Sequence, residues 1–236
     1  MKDLFGQAIY DYHFNNAPEN LITETNISEK DEMDVSYLFR DFENMPKIEQ
    51  KAITMSYGKV LDIGAGAGSH SLLLQNNFKL DVKAIDISKK AIATCNARGI
   101  EQTEVQNLLD CEEKETYDTI LLLMNGTGIF GTLNEAPKYL NKLKKLLNKK
   151  GQILIDSSDI IYMFDEDEDG GKWIPGKGYY GELRFKISYK NETEDEFPWL
   201  YLDFNTLQNI ANANGFNCQL IEEGEHYDYL AQLTIA

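Results

Sequence analysis

The segment Val60-Leu61-Asp62-Ile63-Gly64-Ala65-Gly66-Ala67-Gly68 constrains this chain more than any other. A short apolar run over 59–63 stops at a turn in which alternate residues are glycine, and a stretch with helical spacing follows over 69–75. Glycines at such a turn reach backbone angles closed to other residues and let a ligand approach the main chain. Amide groups at the start of the following helix then face an anionic or polar ligand group. A tight turn that simply needs small residues is the plainer alternative; a strand before it and a helix after it favour the ligand.

The strand-helix alternation continues downstream. Residues 80–85 read as a second strand, and Ser88 caps a helix over 89–98 that Gly99 closes. Residues 104–106 form a weak third strand. Residues 117–124 form a fourth, apolar through its middle as a strand buried on both faces must be. A helix over 133–147 leads to a fifth strand over 152–155. Strands and helices at this spacing predict an α/β fold, with a parallel sheet covered by helices on both faces. Beyond Asp156 the pattern changes. Residues 158–178 read as an acidic loop, and 180–190 with 197–203 alternate as a β-hairpin. A helix over 207–213 and a strand pair over 218–222 and 229–234 close the chain. At the other end, helical stretches are expected over 4–12 and 32–54, the second broken at Met45-Pro46. The expected organisation is an N-terminal helical cap segment, 1–57, and a main domain, 58–236, with a substrate-side insertion at 158–200.

Composition removes several function classes. A net charge of −16 provides no basic field for a phosphate backbone, so no nucleic-acid partner is expected. Apolar runs stay far below the ~20 residues that span a bilayer, and the opening MKDLFGQAIYDYH lacks a signal-peptide pattern. Three cysteines without a CxxC pair fit a reducing, cytoplasmic setting. Three scattered histidines give no zinc spacing. Asp165, Asp167 and Asp169 match the start of a calcium loop, yet Gly176 stands where a bidentate glutamate belongs, so no metal is expected.

Two details narrow the ligand. A dinucleotide fingerprint would place a third glycine at position 69, which is Ser69; the spacing here is GxGxG, preceded by Asp62. Asp86 ends the second strand, where a carboxylate accepts hydrogen bonds from ribose hydroxyls. With Asp62–Gly68 as a first motif and Asp86 as a second, the chain resembles the class I S-adenosylmethionine-dependent methyltransferases. Tyr117-Asp118-Thr119-Ile120 resembles the fourth-strand motif of that family, residues 147–155 its helix-to-fifth-strand passage, and the final strand pair its antiparallel hairpin. The flanking pieces resemble an uncharacterised bacterial branch.

The resemblance implies a Rossmann-like fold with S-adenosyl-L-methionine as cofactor. Gly64, Ala65, Gly66 and Gly68 would contact the methionine portion and ribose, with Asp62 orienting the loop or reaching the methionine amino group through water. Asp86 would hold the ribose and Ile87 would pack on adenine. The family often has an acid after the third strand; here Leu108 stands at that position, with Asn107 and Asp110 beside it.

Methyl transfer asks the protein mainly to align two reactants and exclude water, with a general base only for a protonated nucleophile. No catalytic dyad is evident. Asn125, after the fourth strand, is a candidate for lining the reacting centre and the cofactor site, and equally for an αL turn. His13 and Tyr180 are further catalytic candidates with packing as the alternative. His70 reads either as facing the methionine carboxylate or as a surface histidine. Within 58–157 only Phe78, Tyr117, Phe130 and Tyr139 are aromatic; Tyr10, Tyr12, Tyr37, Trp173, Tyr179, Tyr180 and Trp199 are candidates for a lid. Aromatic walls suit an apolar or cationic small-molecule acceptor. Competing readings are a nicotinamide dehydrogenase, a non-catalytic S-adenosylmethionine binder, and a methyltransferase of a protein substrate. Monomer and homodimer are both open.

Overall fold

The computed structural model describes residues 2–165, 167, 171–174 and 178–236. The chain opens with helix α1 (Leu4–Phe14), whose Gly6 amide is accepted by the Asp3 side chain. Strands β1 (Leu21–Thr25) and β2 (Ser28–Met33) follow as an antiparallel pair. Two short 3-10 turns, Val35–Phe39 and Phe42–Asn44, lead to α2 (Lys47–Met55). The helix expected over 32–54 is therefore corrected. Pro46 starts α2, a position where its missing N–H costs nothing, and Asp34 draws the chain into a 3-10 turn by accepting from the Ser36 amide. Ile22, Thr23 and Thr25 suit a strand, and that strand is completed by residues far along the sequence.

The main domain follows the expected alternation: β3 (Lys59–Ile63), α3 (Ser69–Asn76), β4 (Asp81–Asp86), α4 (Lys89–Ala97), β5 (Gln102–Val105), β6 (Tyr117–Leu122), α5 (Ala136–Leu146) and β7 (Leu147–Ser158). The insertion supplies β8 (Glu182–Tyr189), β9 (Glu192–Thr193) and β10 (Phe197–Leu200). Helix α6 (Phe204–Ala213) and strands β11 (Phe216–Glu223) and β12 (Asp228–Ile235) complete the chain. The seven-stranded sheet runs β11-β12-β7-β6-β3-β4-β5. Its core strands are parallel, and β12 joins β7 antiparallel, as expected for the C-terminal pair.

Period-two alternation sorts the side chains to the two faces. Ile120, Leu122, Ile153 and Ile155 pack against α5 and α6, with Leu140, Leu207 and Phe216. Leu121 and Leu154 point the other way, onto Ile48, Ala52 and Ile53 of α2 and Leu74 of α3. At about 25 cal/mol per Å² of apolar area, these fully buried side chains are the main stabilising term.

A second sheet runs β10-β8-β1-β2, with β9 on β8. The N-terminal segment and the insertion thus form one layer, paired through Ile22↔Ser188 and Thr23↔Ile187. Tyr189 donates its hydroxyl to Asp11 at 3.1 Å, Lys190 reaches the same carboxylate at 2.8 Å, and Glu194 accepts from the Leu4 amide. Asp169, Gly170 and Gly176 lie outside the described residues, and with them part of the calcium-like run. Among the described residues no helix is long and apolar enough to cross a membrane.

Candidate cofactor site and adjoining cavity

The glycine loop joins the carboxyl end of β3 to α3. Gly64, Gly66 and Gly68 all have positive φ. The Gly64 and Ala65 amides donate to the Ile85 carbonyl at 2.9 and 3.1 Å, which pins the loop to the end of β4. The Gly66 amide donates to Asp86 Oδ2 at 2.9 Å, and the Ser88 amide donates to Asp86 Oδ1 at 2.8 Å. Asp86 thus couples loop and helix cap, and burial pushes its carboxyl above the usual range despite those bonds. Each oxygen keeps a further lone pair for a ligand hydroxyl.

Asp62 is buried in β3 and accepts from Ser71 Oγ at 2.6 Å, locking strand to helix across the loop. Arg98 braces the other side, donating to the Ala67 carbonyl at 2.6 Å. Cys95 Sγ lies 3.3 Å from the Gly66 carbonyl, and burial pushes its thiol up to about 12, so it is no nucleophile. A Cβ on Gly66 would meet only Ile9 Cδ1 at 3.8 Å and the Gly64 carbonyl oxygen at 4.0 Å, so the flank of the loop is open. Ile87 is 66% exposed, an apolar platform beside Asp86. An open loop flank, a carboxylate with free lone pairs and an exposed apolar residue together fit a nucleoside-bearing ligand.

Asn107 caps the 3-10 turn Leu108–Asp110 by accepting from the Leu109 amide at 2.9 Å, and Leu108 is buried in the main core. Asn125 adopts αL, as the turn alternative required. Its Oδ1 accepts from Ser157 Oγ at 3.1 Å, while its buried Nδ2 has no partner. The turn after β6 anchors the insertion: Thr127 Oγ1 donates to the Leu200 carbonyl at 2.9 Å, and the Trp199 ring lies against Gly128. His13 stacks on Phe39, and Tyr180 donates to Asp159 at 2.7 Å; neither lines the cavity described next.

That cavity, about 960 Å³, opens beside the ends of β6 and β7. Tyr37 and Glu49 line it from the N-terminal segment, Met124 and Asp156 from the strand ends, and Leu183 and Tyr201 from the insertion and the stretch after it. Of the expected lid aromatics, Tyr37 alone lines it, joined by Tyr162 and Tyr201. Asp156 is 5% exposed and accepts from the Met124 amide at 3.0 Å and the Gly126 amide at 2.8 Å. Burial pushes its carboxyl up to about 6, against the lowering effect of the backbone bonds.

His70 is buried, which removes the surface alternative. Its Nε2 lies 2.6 Å from Glu49 Oε2, and Glu49 also pairs with Arg40. Burial alone would push the imidazole down, but Glu49 and Asp62 carry it above its usual value. Glu49 is held below the ordinary range by His70 and Arg40 although burial opposes this. Sequence reasoning passed over Glu49, Arg40 and Asp156. For Asp156 a signal existed: an acid ending an otherwise apolar strand, as Asp86 ends β4.

A glycine loop and a strand-end acid side by side at the carboxyl edge of a parallel sheet define a nucleotide-type ligand cleft in a Rossmann-like fold. Comparison with known proteins makes the class specific. A family model described as a methyltransferase domain matches residues 55–215. A SAM-dependent methyltransferase from Bacteroides fragilis, solved in complex with S-adenosyl-L-homocysteine, is 44% identical and superimposes with a TM-score of 0.92, covering 100% of this chain and 95% of that one. Phosphoethanolamine N-methyltransferase 3 of Arabidopsis thaliana is 28% identical over 99 residues, 41% of this chain; the chain spans about a fifth of the length of that curated relative, 20%. The sugar N-methyltransferase KedS8 from Streptoalloteichus shares the fold, with a TM-score of 0.56 at 12% identity over 84% of this chain and 87% of that one. The chain belongs to the class I S-adenosylmethionine-dependent methyltransferases, with S-adenosylmethionine as its cofactor.

Proposed function

We propose that this enzyme transfers a methyl group from S-adenosylmethionine to a small-molecule acceptor held in the cavity beside Met124 and Asp156. The observation that carries the proposal is the position of that cavity. Met124 and Asp156 stand at the ends of β6 and β7, and β6 neighbours β3, which leads into the glycine loop. An acceptor in the cavity is therefore one strand away from the cofactor loop.

S-adenosylmethionine supplies the transferable methyl on its sulfonium. Gly64, Ala65, Gly66 and Gly68 line its methionine side, Asp86 holds the ribose hydroxyls, and Ile87 packs on the adenine. Asp62 and Arg98 keep the loop in shape without touching either reactant. Asn125 shapes the turn after β6, between the glycine loop and the cavity. The second sheet closes over the cavity, excluding water and holding the acceptor in line, which is where most of the rate enhancement for such a displacement arises. The curated relative carries a name that specifies a small acceptor, which supports the same reading.

The test begins with calorimetric titration of S-adenosylhomocysteine. Release of S-adenosylhomocysteine is then measured with a panel of small acceptors and, separately, with basic proteins. Turnover with small acceptors is expected. Turnover with proteins alone would assign the cavity to a protein side chain, and cofactor binding without any turnover would make the chain a binder.

A further inference from the structure

We propose that the acceptor is an aliphatic amine, which enters as an ammonium and docks its charge on Asp156. This inference rests on the methyltransferase reading and names the acceptor atom within it.

Asp156 is the buried acid that lines the cavity without a cation beside it; Glu194, also buried, accepts from the Leu4 amide away from the cavity. Asp11 has Lys190, and Glu49 has Arg40 and His70. Asp62 is spent on Ser71, inside the fold. Asp156 lines the cavity, is 5% exposed, and has backbone amides of the turn after β6 as its hydrogen-bond partners, with no cation paired to it. Those amides leave part of the carboxylate's roughly four lone-pair positions open to a ligand donor. A buried carboxylate without a counter-ion is costly unless its site supplies a cation. Within the fold the nearby cation His70 belongs to Glu49, so the cation has to arrive with the ligand.

The rest of the cavity fits the same chemistry. Tyr37 and Tyr201 line the cavity, and an aromatic ring face favours an ammonium over an anion. Glu222 and Glu223 stand at the mouth, and among the described residues neither has a salt-bridge partner. Among the described lining residues Lys47 is the lysine, and it pairs with Glu225 at 3.5 Å. Among the described residues no arginine lines the cavity. A phosphate or carboxylate group would meet carboxylates at both depths, so an anionic acceptor is disfavoured. A second amine on the ligand would find Glu222 and Glu223 at the mouth.

The step balances as follows. The ammonium gives one proton to the Asp156 carboxylate and becomes a neutral amine. The freed nitrogen lone pair forms the N–C bond as the methyl C–S bond breaks, and that bond's electron pair stays on sulfur. The products are a methylated ammonium and a neutral thioether, and the proton leaves Asp156 for solvent when the product departs. A carboxyl whose affinity for protons lies close to neutrality is suited to that exchange.

The experiment uses the full chain saturated with S-adenosylhomocysteine. Phenethylamine, 2-phenylethanol and phenylacetate are titrated by calorimetry, since they share size and differ in charge. The amine is expected to bind at least tenfold more tightly than the alcohol, and phenylacetate not at all. Asp156→Asn, verified for fold by circular dichroism, should abolish the preference. Because Asp156 also holds two amides, the double variant Glu222→Gln/Glu223→Gln provides a second measurement on residues at the mouth. It should weaken 1,4-diaminobutane severalfold while leaving phenethylamine unchanged. Equal binding of the three phenyl probes, or no binding of any, overturns the amine assignment while leaving the methyltransferase reading intact. Failure to bind S-adenosylhomocysteine overturns both.

Discussion

Glu49 Oε2 lies 2.6 Å from His70 Nε2, and this contact joins helix α2 to the first turn after the glycine loop. Glu49 also pairs with Arg40, and the three side chains are 4%, 10% and 5% exposed for Glu49, His70 and Arg40. Arg40 in turn lies 4.0 Å beneath the ring of Tyr37, a wall of the cavity. One carboxylate therefore ties the wall of that cavity to the helix after the glycine loop. Glu49→Ala strands two buried cations, and breaking a buried pair in this way costs about 3–5 kcal/mol. Urea unfolding at neutral pH should show that loss. A change below about 1 kcal/mol would mean that water enters and re-solvates the pair.

The same pair sets a pH dependence. His70 is held above its usual 6.5, because Glu49 and Asp62 outweigh the effect of burial. A raised folded value means that its contribution is complete below 6.5 and is lost as pH rises through the raised value. Asp156 has the same sign in a lower window: its carboxyl is raised from 3.8 to about 6, so its contribution disappears as pH climbs through about 6. The stability difference between wild type and His70→Gln should therefore hold steady up to about 6.5 and shrink above it. Urea unfolding of both proteins across that range is the measurement, and a difference that grows with pH would reverse the assignment of the charged form.

Two loop glycines separate fold from ligand binding. At Gly66, φ is +56 and an added Cβ finds open space, with its nearest neighbour, Ile9 Cδ1, at 3.8 Å. At Gly68, φ is +80 and an added Cβ would sit 2.4 Å from Ile100 Cδ1 and 3.0 Å from Cys95 Sγ. Both changes strain the backbone by about 1–2 kcal/mol. Gly66→Val should abolish S-adenosylhomocysteine binding with near-native circular dichroism, because the branch fills the ligand side. Gly68→Ala should lower the melting temperature further, because it presses on packed side chains. Retained cofactor affinity in Gly66→Val would make the loop a turn only.

Much of the main domain was legible because its signals are local. The run Leu61–Ile63, the glycines and Asp86 lie within one βα unit, and Ser88 caps α4 by accepting from the Ala91 amide at 2.9 Å, as its position indicated. The second sheet was not legible. No strand was expected over 21–25, because β1 is completed by β8 and no local pattern encodes a partner so distant in sequence. The charge cluster was hidden for the same reason: Arg40, Glu49 and His70 come from three elements and meet only in the fold. Asn107 and Leu108 were placed by analogy with a family acid; one caps a 3-10 turn and the other packs in the core.

In the proposed function Asp86 carries two loads, the glycine loop and the ribose of the cofactor. Asp86→Asn keeps one acceptor oxygen and replaces the other by a donor that faces a backbone amide. S-adenosylhomocysteine affinity should fall by about 1–3 kcal/mol, measured by calorimetry. The structural share can be separated with Ser88→Ala, which removes the cap on Ala91 and leaves the Ser88 amide bond to Asp86 in place. Ser88→Ala should cost about 1 kcal/mol in stability with little change in affinity. Equal affinity losses in both variants would place Asp86 in the loop scaffold alone.

Helix α1 ties the cofactor loop to the insertion. Asp3 accepts from Ser88 Oγ at 2.8 Å, Gln7 meets Lys90, and the fully buried Ile9 lies over the flank of Gly66. On its far side Asp11 holds Tyr189 and Lys190 of the insertion. A ligand on the loop flank therefore touches α1, and α1 transmits the contact to the second sheet. Helix ends and docked segments of this kind open locally at far lower cost than global unfolding. With S-adenosylhomocysteine bound, hydrogen exchange should slow across 4–14 and 182–189 as well as across 60–88. Asp11→Asn, which loosens the tie to Lys190, should keep the protection at 4–14 and reduce it at 182–189. Protection confined to 60–110 in the wild type would show that α1 and the second sheet are static packing, with no closing motion over the site.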